Sequence, residues 1–338
     1  MISMNKNYHQ ELDQFLKNAK MLRSRPGYDL YVGILKSSSK KVFVKHFRGD
    51  GGFELAENTL TDYQFYYSAL SFQEEYNVPR PVGVFSDHDN GGFYVCEWMY
   101  GINVASLLRF FKYSRFITEF ILIRIGKWLF EFHNVNKIQY RYFGEIVDIL
   151  VINKQIDVIE NYLKQHNIDM LSSMFEIRSI LNLKKDDSSK MPFTRIHGDF
   201  WSKNLLFNFS RTVGVDVSIN KYGSIYSDVA KFVNYMIKFD NIHVPELDVI
   251  NAEWQAQAVF SCYIKHSELH ISMECFMLFY YVDLIERISN YLISPRTLGD
   301  KKSDLMHFRI KYLIDLLFVV FKRAKFLNTI GDISSLSR

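Results

Sequence analysis

The 338-residue chain predicts an α+β protein of two lobes, a small antiparallel sheet first and a larger, mostly helical part after it. Three observations predict this. Two apolar runs, residues 28–35 and 41–47, are separated by the polar turn Lys36-Ser37-Ser38-Ser39-Lys40, the patterning of a β-hairpin. From Ile102 onward, apolar residues recur at helical spacing over several long segments. A short polar relay near residues 195–217 then interrupts the helices with a second hairpin pattern. The helical part begins near residue 100, so the expected lobes are 1–99 and 100–338.

Leu12, Phe15, Leu16, Ala19 and Leu22 give a lead-in helix over residues 8–22, which Pro26-Gly27 breaks. Lys45 stands late in the second strand, after Val42-Phe43-Val44, and taken alone reads as a solvent-facing strand residue. After a glycine-rich turn at 48–52, a helix over 53–70 carries Glu54, Glu57 and Asp62. Pro79 and Pro81 restrict the backbone to an extended approach. A polar turn at 87–92 leads to a strand at 93–98, ending in Cys96-Glu97-Trp98-Met99-Tyr100-Gly101.

The larger lobe starts at 102–111. The helix at 120–133 has Ile121, Leu122, Ile125, Trp128, Leu129 and Phe132 on one broad face. Further helices are expected at 148–163, 170–181, 229–239, 251–263, 273–290 and 304–326, with a charged loop at 184–190. The last helix joins an apolar run at 316–321 to Lys322, Arg323 and Lys325. Core packing is the favoured reading of that run, and contact with a membrane surface is the alternative. The residues after Asn328 are expected to fray.

Composition narrows the function classes. With 29 Phe, 21 Tyr and 48% hydrophobic residues the chain can fill a large core. A net charge of +4 is too small to argue for nucleic acid and only weakly favours an anionic partner. Cys96, Cys262 and Cys275 lack metal-ligand spacing and read as free thiols in a reducing compartment. There is no apolar leader at the N-terminus and no apolar run long enough to span a membrane, so a cytoplasmic protein without a transmembrane segment is expected.

The chemistry concentrates in Arg195-Ile196-His197-Gly198-Asp199-Phe200-Trp201-Ser202-Lys203-Asn204-Leu205-Leu206-Phe207, followed by Val215-Asp216-Val217. Asn204 lies five residues after Asp199, and Asp216 twelve after Asn204. Strands at 205–207 and 213–217, joined by a turn at 209–212, would bring Asn204 and Asp216 to the ends of adjacent strands. One base and two metal ligands suit phosphoryl transfer from a nucleotide.

Asp-x-x-x-x-Asn followed by a second Asp after a hydrophobic hairpin resembles the catalytic loop and metal-binding aspartate of the kinase superfamily. The opening His197-Gly198-Asp199 is similar to that of the aminoglycoside phosphotransferase and choline kinase-like family, whose members phosphorylate small molecules. The resemblance runs through motifs over roughly residues 25–240 and implies a two-lobed protein kinase-like fold that uses ATP and Mg2+. It makes Asp199 the general base or positioning group, Asn204 and Asp216 the Mg2+ ligands, and Lys45 the phosphate-contacting lysine. A carboxylate on the 53–70 helix should hold that lysine. Residue type points to Glu57, distance from Leu70 to Asp62, and the sequence does not choose. The stretch through Glu97 and Met99 should read adenine with its backbone. His133 and His197 are implied to be structural, and Asp228-Val229-Ala230 to buttress the catalytic loop, with Ser227 as a helix cap. Lys203 either points to the surface or meets the transferred phosphate, the surface being favoured.

The absence of a Gly-x-Gly-x-x-Gly loop, and Val217-Ser218 in place of Phe-Gly after Asp216, favour a small-molecule kinase over a protein kinase. The expected acceptor is a hydroxyl of a small molecule: an aminoglycoside-like sugar, an amino alcohol or a cell-surface precursor. The alternatives are a catalytically inactive kinase-like scaffold or binding protein and, behind it, a protein kinase. Whether the chain is a monomer or a homodimer stays open.

Overall fold

The structure, a computed structural model, describes residues 7–36, 39–70, 76–87, 90–185, 190–208, 210–236, 244–266, 269–293 and 308–322. The expected terminal tail and parts of the loops at 87–92, 184–190 and 209–212 lie outside these residues, as do the ends of the 229–239 and 304–326 helices.

In chain order the elements are α1 (Asn7–Asn18), β1 (Lys20–Arg25), β2 (Tyr28–Leu35), β3 (Lys40–Phe47), α2 (Gly52–Leu70), β4 (Tyr76–Asn77), β5 (Pro81–Ser86), β6 (Gly92–Glu97), β7 (Ile102–Asn103) and α3 (Val104–Phe110). Then come α4 (Arg115–Asn134), β8 (Gln139–Tyr142), α5 (Phe143–Ile146), α6 (Ile149–Gln165), α7 (Leu171–Lys185) and β9 (Lys190–Arg195). After a single 3-10 turn at Ser202–Asn204 follow β10 (Leu205–Phe207), β11 (Thr212–Gly214), β12 (Tyr222–Ser224), α8 (Ile225–Met236), α9 (Pro245–His266) and α10 (Met273–Ile293). A last helix, α11, covers 308–322.

The architecture is α+β with two lobes, a small antiparallel sheet lobe and a larger helical one. One compact unit comprises Met1–Leu107 and Lys203–Asn220, the other Leu108–Ser202 and Lys221–Arg338. The first therefore takes in the β10–β11 hairpin, a hundred residues downstream of the boundary that chain order suggests.

In the first unit a five-stranded antiparallel sheet runs β1-β2-β3-β6-β5, and a four-stranded one runs β4-β11-β10-β7. Alternation along β3 buries Val42 and Val44 with Val95 of β6 and Leu12 and Phe15 of α1. Gly33 is needed where α1 crosses β2, because a Cβ there would sit 2.5 Å from the Phe15 ring. The lead-in helix is shorter than its periodicity suggests: β1 takes residues 20–25, with Met21 and Leu22 exposed. Pro26-Gly27 is thus a hairpin turn pairing Arg25 with Tyr28, not a helix terminator, and Gly27 has the positive φ of +86° that a type II turn requires. Buried Ala56, Asp62, Tyr63, Tyr66 and Leu70 mark the inner face of α2.

In the second unit α4 packs on α9, and α10 on α8 and α6. The α4–α9 approach is close enough that a Cβ on Gly126 would lie 2.1 Å from the Val259 carbonyl oxygen. A three-stranded sheet, β12-β9-β8, delivers the chain to residue 196. Strands β8 and β9 fall where the sequence showed no pattern, because β8 is exposed along its whole length and lacks apolar alternation. Among the described residues no helix is long and apolar enough to cross a membrane, and the three cysteines are free.

Candidate active site

The first unit positions Lys45, Asn204 and Asp216. Leu205 pairs with Gly214 across the β10–β11 hairpin, and the Asn204 carbonyl accepts from Val215 N–H at 2.9 Å. Asn204 and Asp216 thus flank the open end of one hairpin. The returning strand stops at Gly214, shorter than the 213–217 expected, because Asp216 turns left-handed with φ +58°. A non-glycine residue held in that region is sparsely populated and needs its surroundings to hold it there.

Helix α2 does the holding. Asp216 N–H donates to the Tyr63 hydroxyl at 2.7 Å, Ile219 N–H donates to Asp62 Oδ1 at 3.2 Å, and the Tyr66 hydroxyl donates to the Ser218 carbonyl at 3.3 Å. Burial, then the neighbouring Asp216 charge, pushes the Tyr63 phenol well above its usual pKa, so it remains a neutral hydroxyl.

Lys45 Nζ donates to Asp216 Oδ1 at 3.2 Å. The lysine side chain is 19% exposed and the carboxylate 52%, so the cation is tucked under an acid that faces water. Tyr28 and Phe47 line the ammonium at 4.9 and 5.1 Å, a cation–π setting that fixes it over β2 and β3. Asp216 Oδ2 has no protein partner among the described residues.

The second unit positions His197, Gly198 and Asp199. Asp228, in the first turn of α8, is fully buried and accepts from three donors: His197 N–H at 2.8 Å, Gly198 N–H at 2.8 Å and His133 Nε2 at 3.0 Å. The buried Tyr263 hydroxyl lies 2.7 Å from His133 Nδ1. Burial keeps that phenol protonated, so it donates to Nδ1 and leaves Nε2–H for the carboxylate. Burial alone would raise the Asp228 pKa. The hydrogen bond from His133, with the His197 ring and the Gly198 N–H, outweighs it and holds the carboxyl below its usual value.

Gly198 has φ +72°, and Lys231 Nζ donates to its carbonyl at 3.2 Å. The His197 ring is buried among Trp128, Phe132 and Phe200. The loop is thus clamped on both sides of Gly198, and the half-buried Asp199 follows directly.

Of the sequence-predicted residues, Lys45 meets Asp216, and Asn204 shares its hairpin. Glu57 is exposed on α2 and makes no ion pair with Lys45 among the described residues, while Asp62 is turned to the Ile219 backbone. Glu97 directs its carboxylate to Lys40 at 2.6 Å, and its N–H donates to the Arg80 carbonyl. Trp98 N–H donates to Lys41, and no hydrogen bond occupies the Met99 backbone among the described residues. Lys203 is exposed. Ser227 is not the cap of α8, because the helix starts two residues earlier, where Ser224 Oγ accepts from Tyr226 N–H at 3.3 Å. Tyr63, Tyr263 and Lys231 went unnoticed in the sequence. Tyr63 could have been found as an apolar-face residue beside an acid on α2; nothing marks the other two.

The small antiparallel sheet lobe followed by a larger helical lobe is a bilobed α+β architecture of the kinase-like kind. No protein-family model matches the sequence, and no curated protein matches it. Solved structures do. The apo form of a thermostable mutant of an aminoglycoside phosphotransferase is 13% identical, with a TM-score of 0.56 over 91% of this chain and 97% of that one. Amicoumacin kinase in complex with AMP-PNP, Ca2+ and its ligand is 13% identical, with a TM-score of 0.54 over 92% and 94%. Ethanolamine kinase of Plasmodium vivax is 13% identical, with a TM-score of 0.50 over 93% and 85%. At such identities the likeness establishes the fold.

Proposed function

We propose that the chain is an ATP- and Mg2+-dependent phosphotransferase acting on a hydroxyl of a small molecule. The observation that carries this reading is the Lys45–Asp216 pair, a tucked cation under a water-facing acid whose backbone α2 clamps in a left-handed turn. The fold shared with small-molecule kinases supports it.

The donor set suits Mg2+. Asp216 keeps one carboxylate oxygen without a protein partner, and Asn204 adds an amide oxygen from the same hairpin. Mg2+ takes hard oxygen ligands, characteristically one or two carboxylates with substrate phosphates and water. When bound, it supplies charge neutralisation at the ATP phosphate oxygens.

With Mg·ATP bound, Asp216 and Asn204 would hold the metal and Lys45 would contact the phosphates. The backbone at Glu97 and Met99 accepts the adenine edge. Asp199 would orient the acceptor hydroxyl and take its proton as the new bond to the γ-phosphorus forms and the bond from that phosphorus to the β–γ bridging oxygen breaks, releasing ADP; most of the gain comes from placement and charge. Aminoglycoside-like sugars, amino alcohols and cell-surface precursors are the acceptor classes to assay first. The exposed Glu57 has no part in this arrangement.

The test is consumption of Mg·ATP against a panel of aminoglycosides, amino alcohols, nucleosides and sugars, with Asp199→Ala in parallel. Turnover that vanishes in Asp199→Ala while Mg·ATP still binds supports the assignment. Undiminished turnover in that variant removes Asp199 from its role. Lack of nucleotide binding by the parent protein favours the inactive scaffold.

A further inference from the structure

The corner where α3 passes into α4 places aromatic rings in water. Phe110 is 79% exposed, Tyr113 88% and Phe116 83%, with Phe120 at 46%. A single exposed apolar side chain needs no explanation, but four rings within residues 110–120 form a patch that does.

Local structure holds the rings outward. The Ser114 side chain caps α4 by accepting from Ile117 N–H, and Ile121, Leu122 and Ile125 take the buried face of the helix. Phe116 and Phe120, four apart, share the opposite face. Phe110 packs edge to face on Phe111 at 4.9 Å, and the Thr118 hydroxyl donates to the Phe111 carbonyl at 3.2 Å, which ties the turn to α4. The start of α4 is therefore apolar on both faces, a pattern that belongs to helices covered all round.

The charges in the patch have one prevailing sign. Arg109, Lys112 and Arg115 alternate with the rings and are all exposed, and Glu119 is the one acid between 109 and 120. Lys112 Nζ lies 4.6 Å from the Tyr113 ring, and the Arg115 guanidinium 5.0 Å from the Trp254 ring, so these cations sit beside aromatic surface. The apolar run at 316–321, the other candidate for a membrane surface, is turned inward: Leu316, Leu317 and Val320 of α11 are fully buried.

We infer that the α3–α4 corner docks on an anionic lipid surface, with Phe110, Tyr113 and Phe116 entering the headgroup layer and Arg109, Lys112 and Arg115 pairing with lipid phosphates. A second copy fits this face poorly, because a two-fold contact would press the three cations against their own equivalents. Rings that stand out from a helix–turn–helix corner at such exposure suit a deformable, apolar receptor. The inference stands apart from phosphoryl transfer, because binding is read without nucleotide or acceptor.

The experiment is co-sedimentation of the full chain with vesicles of phosphatidylcholine carrying about one-quarter phosphatidylglycerol, against vesicles of phosphatidylcholine alone. Binding to the anionic vesicles is expected to be about tenfold or more the stronger, and to be released at about 1 M salt, where the Debye length falls to about 3 Å. Tyr113→Ser with Phe116→Ser, and separately Arg109→Glu with Lys112→Glu, should each weaken it by about tenfold or more while leaving the unfolding midpoint in place, since these side chains are exposed. Absence of binding to the anionic vesicles overturns the inference, and so does binding unchanged in both double variants. Self-association lost in Tyr113→Ser with Phe116→Ser, without vesicle binding by the parent, would assign the patch to a second copy instead.

Discussion

Asp228→Asn isolates what the buried acid does for the loop that presents Asp199. The wild-type carboxylate is matched to three donors, with His133 Nε2 and His197 N–H on Oδ2 and Gly198 N–H on Oδ1. An asparagine has one acceptor oxygen and an NH2 group. If its oxygen takes the Oδ2 place, the NH2 faces Gly198 N–H. If it takes the Oδ1 place, the NH2 faces His133 and His197; His133 can change tautomer and accept, but His197 N–H cannot. Either way one buried backbone donor confronts another. A buried donor left unmade costs about 1–3 kcal/mol, and hydrogen bonds to a charged acceptor lose about 1 kcal/mol more each. We therefore expect Asp228→Asn to destabilise the second unit by about 2–4 kcal/mol, a large share of the roughly 5–15 kcal/mol of a typical domain. Guanidinium unfolding followed by tryptophan fluorescence reads this directly, because Trp128, Trp201 and Trp254 all lie in that unit. Asp199→Asn, at a half-buried position next in the loop, should cost under about 1 kcal/mol and serves as the control. An Asp228→Asn midpoint equal to that of Asp199→Asn would refute the claim that Asp228 is the structural member of the pair.

Gly126→Ala should cost about 1–3 kcal/mol or more by overpacking α4 against the α9 backbone, seen as a lower midpoint in the same assay; an unchanged midpoint would show that the two helices can part. Tyr63→Phe strips Asp216 N–H of its acceptor and should cost about 1–2 kcal/mol while weakening Mg·ATP binding measured by titration; wild-type affinity would separate Asp216 from its clamp. Asp283 gives a pH signature. Burial outweighs Lys231 and Asn234 and pushes its carboxyl up to about 6. Its native pKa lies above the unfolded value of about 4, so the native state holds the extra proton and stability falls as pH rises from about 4 to about 6, by about 3 kcal/mol. In Asp283→Asn that component should vanish from unfolding free energies measured across this range, and an identical pH slope in both proteins would exclude it.

Much of the fold is legible because its elements are long and periodic. The 53–70 helix is found within one residue, and the strands at 28–35 and 41–47 almost unchanged, because their apolar spacing coincides with what is buried. Legibility fails where burial and pattern part company. Met21 and Leu22 extend an apolar periodicity that the chain does not bury, so an exposed strand was read as helix. In the site, residue types and spacing mark Asp199, Asn204 and Asp216, whereas the support of each depends on partners far along the chain. Asp216 rests on Tyr63, 153 positions earlier, through its backbone N–H, a group that carries no side-chain signature.

The helix carboxylate shows the same division most clearly. Position on α2 offered Glu57 and Asp62 as the lysine's brace, and chain distance could not choose. Burial decides what each can do. An acid buried on α2 must meet donors, and Asp62 meets the Ile219 N–H of the segment that follows Asp216. Glu57, exposed, is under no such requirement. The lysine then takes the acid that the clamp presents. Lys45 and Asp216 neutralise each other, and in the proposed reaction nucleotide with Mg2+ would offer each a stronger partner of opposite charge. Helix α2 therefore acts on Lys45 indirectly, by fixing the backbone of its partner Asp216. Substitutions on its inner face should disturb nucleotide binding more than loss of its exposed acid.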